Sequence, residues 1–104
     1  MPHERTRVIA ICCEALQSHR VIELSYGLFT REVEVHAVGW TAIGHPVARV
    51  WQLTGGAARG ERTGWKLLRL DEPDAATLTP VHSAAPRRGY RRGDSGLERI
   101  ICEL

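Results

Sequence analysis

The feature that most limits the fold is a two-residue alternation carried by two successive stretches of chain. From Arg20 to Tyr26, Val21 and Glu23 fall on one side and Ile22, Leu24 and Tyr26 on the other. From Thr30 to Trp40, the series Arg31, Val33, Val35, Ala37 and Gly39 alternates with Glu32, Glu34, His36, Val38 and Trp40. Side chains of an extended strand point to opposite faces in turn, so a period of two marks a half-buried strand. Only Gly27-Leu28-Phe29 separates the two stretches, which predicts an antiparallel hairpin.

The rest of the chain is placed around this hairpin. Before it, Val8, Ile11, Cys12, Ala15 and Leu16 stripe one side of a helix expected over 4–18. Cys12 sits in the stripe, and Cys13 lies at its edge or outside it. After the hairpin, Gly44-His45-Pro46 signals a turn, and Val47 to Leu53 is rich in β-branched and aromatic residues, as strands are. Thr54 to Gly64 holds four glycines and no large apolar residue, so a loop is expected there, with the role of a strand connection or a lid. Trp65 to Leu70 resumes the alternation, Asp71-Glu72-Pro73-Asp74 breaks it, and Ala76 to Val81 supplies a further short strand. An irregular stretch from His82 to Gly93 follows, after which Asp94 or Ser95 is read as the cap of a last helix ending near Leu104. One helix, about five closely spaced strands and a short final helix predict a mainly β fold, a small curled sheet or barrel. Strands do not alternate with crossover helices, which argues against a doubly wound α/β fold.

A chain of 104 residues is one domain, 1–104, and its 43% hydrophobic and 25% charged residues are those of a chain that builds a core. The apolar runs are short, so no membrane span is expected, and the opening segment lacks a signal-peptide pattern. A cytoplasmic location follows as the expectation. Cys12, Cys13 and Cys102 are an odd set whose adjacent pair does not readily bridge, and free thiols fit that location. The formal net charge is +2, too small to require a polyanionic partner, but only one of the fourteen cationic side chains, Lys66, is a lysine. Guanidinium groups pair bidentately with carboxylate and phosphate and stack on flat rings.

Taken in order, His19-Arg20-Val21-Ile22-Glu23-Leu24-Ser25-Tyr26, Thr30 to Gly39, Val47-Ala48-Arg49-Val50-Trp51-Gln52 and Gly64 to Asp71 resemble the WYL domain of bacterial regulators. The resemblance covers slightly more than half the chain. It implies a short helix leading into an Sm-like, SH3-type five-stranded barrel over 20–81, followed by a basic loop and the final helix over 82–104. Tyr26, Arg31, Arg69, Leu70 and Asp71 stand where the family carries its tyrosine, its two arginines and the leucine and aspartate that follow the second. The triplet that names the family is replaced by His45, Pro46, Val47 and Ala48, and Val35 stands where proline is common. Such domains commonly follow a winged-helix DNA-binding domain, whereas a single helix precedes Arg20 here. The resemblance therefore implies a free-standing sensor or regulatory module that binds a nucleic acid segment or an anionic, nucleotide-like small ligand, alone, as a homodimer or beside a DNA-binding regulator.

The residues read as ligand-binding are Tyr26, Arg31, His36, Arg49, Trp51, Gln52, Trp65, Lys66, Arg69 and Asp71. Cations interleaved with flat rings on neighbouring strands grip phosphates while bases stack. The competing reading of the same residues is a solvated sheet face with core aromatics, in which Asp71, Glu23 or Glu34 neutralises each inward arginine. Arg87-Arg88-Gly89-Tyr90-Arg91-Arg92 holds four of the thirteen arginines, a pattern of solvated surface or of phosphate contacts, with Tyr90 free to fold back on the sheet. Histidines and cysteines lack metal-ligand spacing, so neither metal nor cofactor is expected. A catalytic reading rests on Cys13 or Ser25 beside His36 and no recognisable motif, and a non-enzymatic protein is the expectation.

Overall fold

The apolar stripe of the first helix sets how the sheet is covered. In the computed structural model, which describes residues 2–55 and 63–104, α1 spans Pro2–Ser18. It begins two residues before the expected start, because a proline at the first helical position gives up no helical hydrogen bond. Val8, Cys12, Ala15 and Leu16 are buried, as their spacing requires. His19 takes a left-handed φ of 55°, the conformation that ends many helices. The chain then enters β1 (Arg20–Ser25), β2 (Thr30–Trp40), β3 (Pro46–Gly55), β4 (Gly64–Arg69), β5 (Ala75–His82) and β6 (Arg99–Glu103).

These strands form one antiparallel sheet in the order β4-β3-β2-β1-β5, with β6 also paired to β2. The hairpin forms where the alternation placed it, with Ile22 opposite Val33 and Ser25 opposite Thr30. Ile22, Leu24, Val33, Val35, Val38, Ala48, Val50, Leu68 and Leu70 pack with the buried face of α1 in one core. Each fully buried Ile or Leu in it contributes roughly 1.5–3 kcal/mol.

Three expectations change. The predicted final helix is a strand. β2 has eleven residues against six in β1, and the edge of β2 beyond β1 is satisfied by β6, with Val38 opposite Cys102 and Trp40 opposite Arg99. Unpaired backbone groups there would cost more than the weak helical signal of Asp94 to Leu104 offers. The sheet is open rather than a closed five-stranded barrel: β4 and β5 stand at its two ends and do not pair with each other. The thiols are not all free, because Cys13 of α1 and Cys102 of β6 form a disulfide with Cα atoms 6.0 Å apart, leaving Cys12 as the buried free cysteine. The expected loop Thr54 to Gly64 is strand at its two ends, and its middle, 56–62, lies outside the described residues.

A register shift between Val35 and Ala37 changes the phase of β2. Val33 and Val35 face the helix, then the extra residue of the bulge brings Val38 to the same face in place of Ala37. Glu34, His36 and Ala37 therefore look to the other side, where residues 83–98 cross the sheet between β5 and β6. No described helix is long and apolar enough to cross a membrane.

Candidate ligand cleft

The face away from α1 is built from β2, β3 and β4. Register places Trp51 opposite both Glu34 and Trp65, and Arg49 opposite Ala37 and Leu67. The Trp51 and Trp65 rings meet edge to face, 5.4 Å apart at 88°. His36 lies against Trp65 at 4.7 Å and against Tyr90 at 5.2 Å. Tyr90 also packs on a small apolar cluster of Ala37, Val47 and Leu97, so the tyrosine of the basic run folds back on the sheet.

Two buried polar groups tie the crossing segment down. The Glu34 carboxylate accepts the Arg87 Nε–H at 2.7 Å and Nη2–H at 3.2 Å, and the Ala84 N–H at 2.7 Å. Burial alone pushes this carboxyl up, but these donors and the Arg87 charge outweigh it and hold it below its ordinary value. The Arg87 guanidinium also lies 5.3 Å from the centre of the Trp51 ring. His36 Nε2 accepts the Arg87 backbone N–H at 2.9 Å, which places the ring proton on Nδ1, 3.0 Å from the Glu34 carbonyl oxygen that accepts it. With both nitrogens engaged and the ring buried, His36 is held neutral: burial lowers its pKa, and the neighbouring Glu34 opposes this only in part.

Further along the segment, Asp94 accepts Arg49 Nε–H at 2.6 Å and Nη2–H at 3.1 Å, and the Gly96 N–H at 2.8 Å. Its carboxyl is held below the ordinary range chiefly by Arg49. Glu103 of β6 accepts Arg92 Nη2–H at 2.8 Å and the Gly93 N–H at 3.1 Å, while the Tyr90 hydroxyl donates to the Leu104 carbonyl at 3.2 Å. Between sheet and segment a cleft of about 540 Å³ opens, lined by Arg49 and Trp65 below and by residues 89–95 above. Gly89 borders it with φ of 95°, and a Cβ there would stand 3.4 Å from Trp65 Nε1. That distance is ordinary contact, so it is the left-handed φ that favours glycine where the chain turns over the indole. Arg49 and Arg92 hold carboxylates; Arg91, exposed on the rim, holds none among the described residues.

Of the ten residues read as ligand-binding, Arg49 and Trp65 line this cleft. Trp51 and His36 lie beneath it; His36 is fully buried with its polar atoms spent inside the protein. Tyr26, Arg31, Gln52 and Lys66 belong to the helix side of the sheet. There Arg31 sits over the stacked Tyr26 and Phe29 rings, 5.1 and 5.4 Å from their centres, and donates to Gln52 Oε1 at 2.7 Å. Gln52 is buried and donates to the Gly55 carbonyl at 3.1 Å. Burial, opposed by Arg31, pushes the Tyr26 phenol up to about 12. Lys66 stands opposite Val50, whose side chain is in the helix-side core. Arg69 and Asp71 form their own ion pair at the end of β4, with contacts of 2.8 and 2.6 Å. Tyr26 and Arg31, read as sharing a ligand site with Trp51 and Trp65, do not meet them, since the two pairs stand on opposite faces.

The catalytic pairing of Cys13 or Ser25 with His36 also fails, as Cys13 is in the disulfide and both His36 nitrogens are occupied. Among the described residues no cluster of histidine, cysteine and carboxylate groups fits a metal ion. Sequence reasoning offered Glu34 as an internal partner of an arginine and the Arg87 to Arg92 run as phosphate contacts, but it did not pair Glu34 with Arg87 or place Tyr90, Arg91 and Asp94 in a cleft wall. The signal for the wall was the tyrosine that follows Gly89 within the arginine run. Comparison of the chain with protein-family models, curated proteins and solved structures found no match.

Proposed function

We propose that this chain is a non-enzymatic binding module whose ligand is a small anion bearing a flat ring, held in the cleft between β3, β4 and residues 89–95. The observation that carries this reading is the combination in one concavity of an indole, a phenol and an arginine that pairs with no carboxylate among the described residues. The volume of about 540 Å³ lies in the usual range for small-molecule sites. A guanidinium and an aromatic wall together recognise a phosphate or carboxylate joined to a ring. A nucleic acid segment presents the same chemistry and is the wider form of the proposal. The ion pairs that close the cleft, Arg49–Asp94 and Arg92–Glu103, favour a compact ligand over a long polyanion, because they leave the rim only weakly positive.

The WYL resemblance extends this proposal to a sensor domain in a bacterial transcription regulator, working in the cytoplasm beside a DNA-binding partner. The order β4-β3-β2-β1-β5 supports it, as a consecutive meander with its fifth strand returned to the first is the order of a small barrel opened along one seam. On this reading the ligand site has moved from the Tyr26–Arg31 side to the cleft. Adenosine monophosphate, with one ring and one phosphate, is a suitable probe. Binding is expected to quench or shift tryptophan fluorescence, to weaken with salt, and to fall at least tenfold in Arg91→Ala and Trp65→Ala, with Arg31→Ala unaffected. Loss in Arg31→Ala with full binding in the other two variants would place the site on the helix side.

A second reading, an assembly module without a ligand, is favoured by the edges of β4 and β5, unpaired among the described residues, and by exposed Ile100 and Ile101 on β6. Light scattering over a range of concentrations tests it, and a strict monomer excludes it.

A further inference from the structure

The cleft is held from one side by the last strand, and that strand is held by a covalent bond. Cys102 is bonded to Cys13, and the two residues that follow it both grip cleft wall. Glu103 binds Arg92 and the Gly93 N–H, and the Leu104 carbonyl accepts the Tyr90 hydroxyl while the Leu104 N–H donates to the His36 backbone carbonyl at 3.0 Å. No residue of β6 is fully buried; Cys102, with Leu104 after it, only borders the helix-side core, whose buried residues come from α1 and β1 to β4 with Leu70. Losing the bond therefore loosens β6 without emptying the core. Both bonded cysteines are half-buried and within reach of a reductant, while the neighbouring Cys12 is sealed in the core and its thiol, pushed up by burial to about 12, is no competing nucleophile.

We propose that the Cys13–Cys102 disulfide is a reversible latch that sets the geometry of the cleft, so that reduction by a dithiol weakens ligand binding there. One thiolate of the dithiol attacks a sulfur of the pair, forming a mixed disulfide and releasing the other cysteine as a thiolate. The second thiol of the reductant then displaces the protein sulfur. The reductant leaves as a cyclic disulfide, and Cys13 and Cys102 have gained two electrons and two protons. Freed from α1, a five-residue edge strand with two exposed isoleucines frays, and Gly93, Arg92 and Tyr90 lose their anchors.

This inference rests on the cleft being the binding site, so the test reads geometry and ligand separately. The full chain is examined oxidised, reduced with dithiothreitol, and reoxidised, by amide hydrogen exchange and by titration with adenosine monophosphate. Reduction is expected to speed exchange at Gly93 and Leu104 at least tenfold, to leave β1 and β3 protected, and to lower affinity for the nucleotide at least tenfold, all reversed by reoxidation. Unchanged protection of Gly93 and Leu104, loss of protection across the whole sheet, or equal affinity in the two forms overturns the proposal. If exchange responds as expected while the nucleotide binds neither form, the ligand reading fails and the latch on the cleft wall stands.

Discussion

Glu34 shows how one buried carboxylate organises a surface. It emerges from the middle of β2 between two valines of the core, on the face where the chain must be covered, and is 1% exposed. Such a charge is tolerated only when its oxygens are filled, and Arg87 and Ala84 fill them. Arg87→Ala is expected to cost about 2–3 kcal/mol in urea denaturation, the range for losing hydrogen bonds to a buried charge. It also returns the Glu34 carboxyl toward or above its ordinary value. His36 adds a dependence on pH. Its pKa is lower in the folded protein than its ordinary value of 6.5, and that of Glu34 is lower than 4.5. The unfolded chain therefore takes up protons first as pH falls, and both contributions, complete above about pH 6.5, are lost on acidification. Protonating His36 Nε2 also sets a donor against the Arg87 N–H. Stability measured by denaturation is expected to decline from pH 6.5 downward and more steeply below 4.5, and His36→Gln is expected to flatten the upper part of that decline.

At the scale of elements, the determining event is the bulge in β2. Strands were legible along Arg20 to Tyr26, Thr30 to Trp40 and Trp65 to Leu70 from alternation and along Val47 to Leu53 from β-branched and aromatic composition, because most apolar positions there have a core to face. The phase change at Val35 to Ala37 was not, since an inserted residue leaves the composition of the strand unaltered. It turns Ala37 toward Arg49 and Val38 toward the core, and without it the two faces cannot be assigned from residue parity. Arg99 to Glu103 was read as part of a helix because Asp94 or Ser95 offered a cap; the unpaired edge of β2 is a tertiary demand that local sequence does not express. Gly39 belongs to the same demand. A Cβ there would collide with the Arg99 carbonyl oxygen and stand 2.8 Å from Leu97 Cδ2. Gly39→Ala is expected to expel β6 from β2, seen as loss of exchange protection at Ile100 and Cys102, while the β1–β2 hairpin keeps its protection.

For the whole molecule, α1 covers one face of the sheet and residues 83–98 the other, and the disulfide joins the helix to the strand that follows that segment. The bond closes a loop across a separation of 89 residues. Cys13→Ser is expected to lower stability by about 2–4 kcal/mol relative to the oxidised protein, with most of the loss arising from a less constrained unfolded chain. The pairing was illegible in the sequence because Cys13 and Cys102 are distant neighbours brought together only by β6. Guanidinium groups and rings were legible in kind, and they meet in two places, Arg31 over Tyr26 and Phe29 on the helix side and Arg49 and Arg91 with Trp65 and Tyr90 around the cleft; residue parity alone did not separate the two faces.

The central claim is that the cleft over Trp65 is where this protein takes its ligand. Chemical-shift mapping of the oxidised chain with adenosine monophosphate tests it most directly. Saturable shifts are expected at the Trp65 indole N–H and at the amides of Gly89, Arg91 and Gly93, with Tyr26, Arg31 and Gln52 unmoved. Shifts confined to the latter group, or none at millimolar nucleotide, would contradict the account.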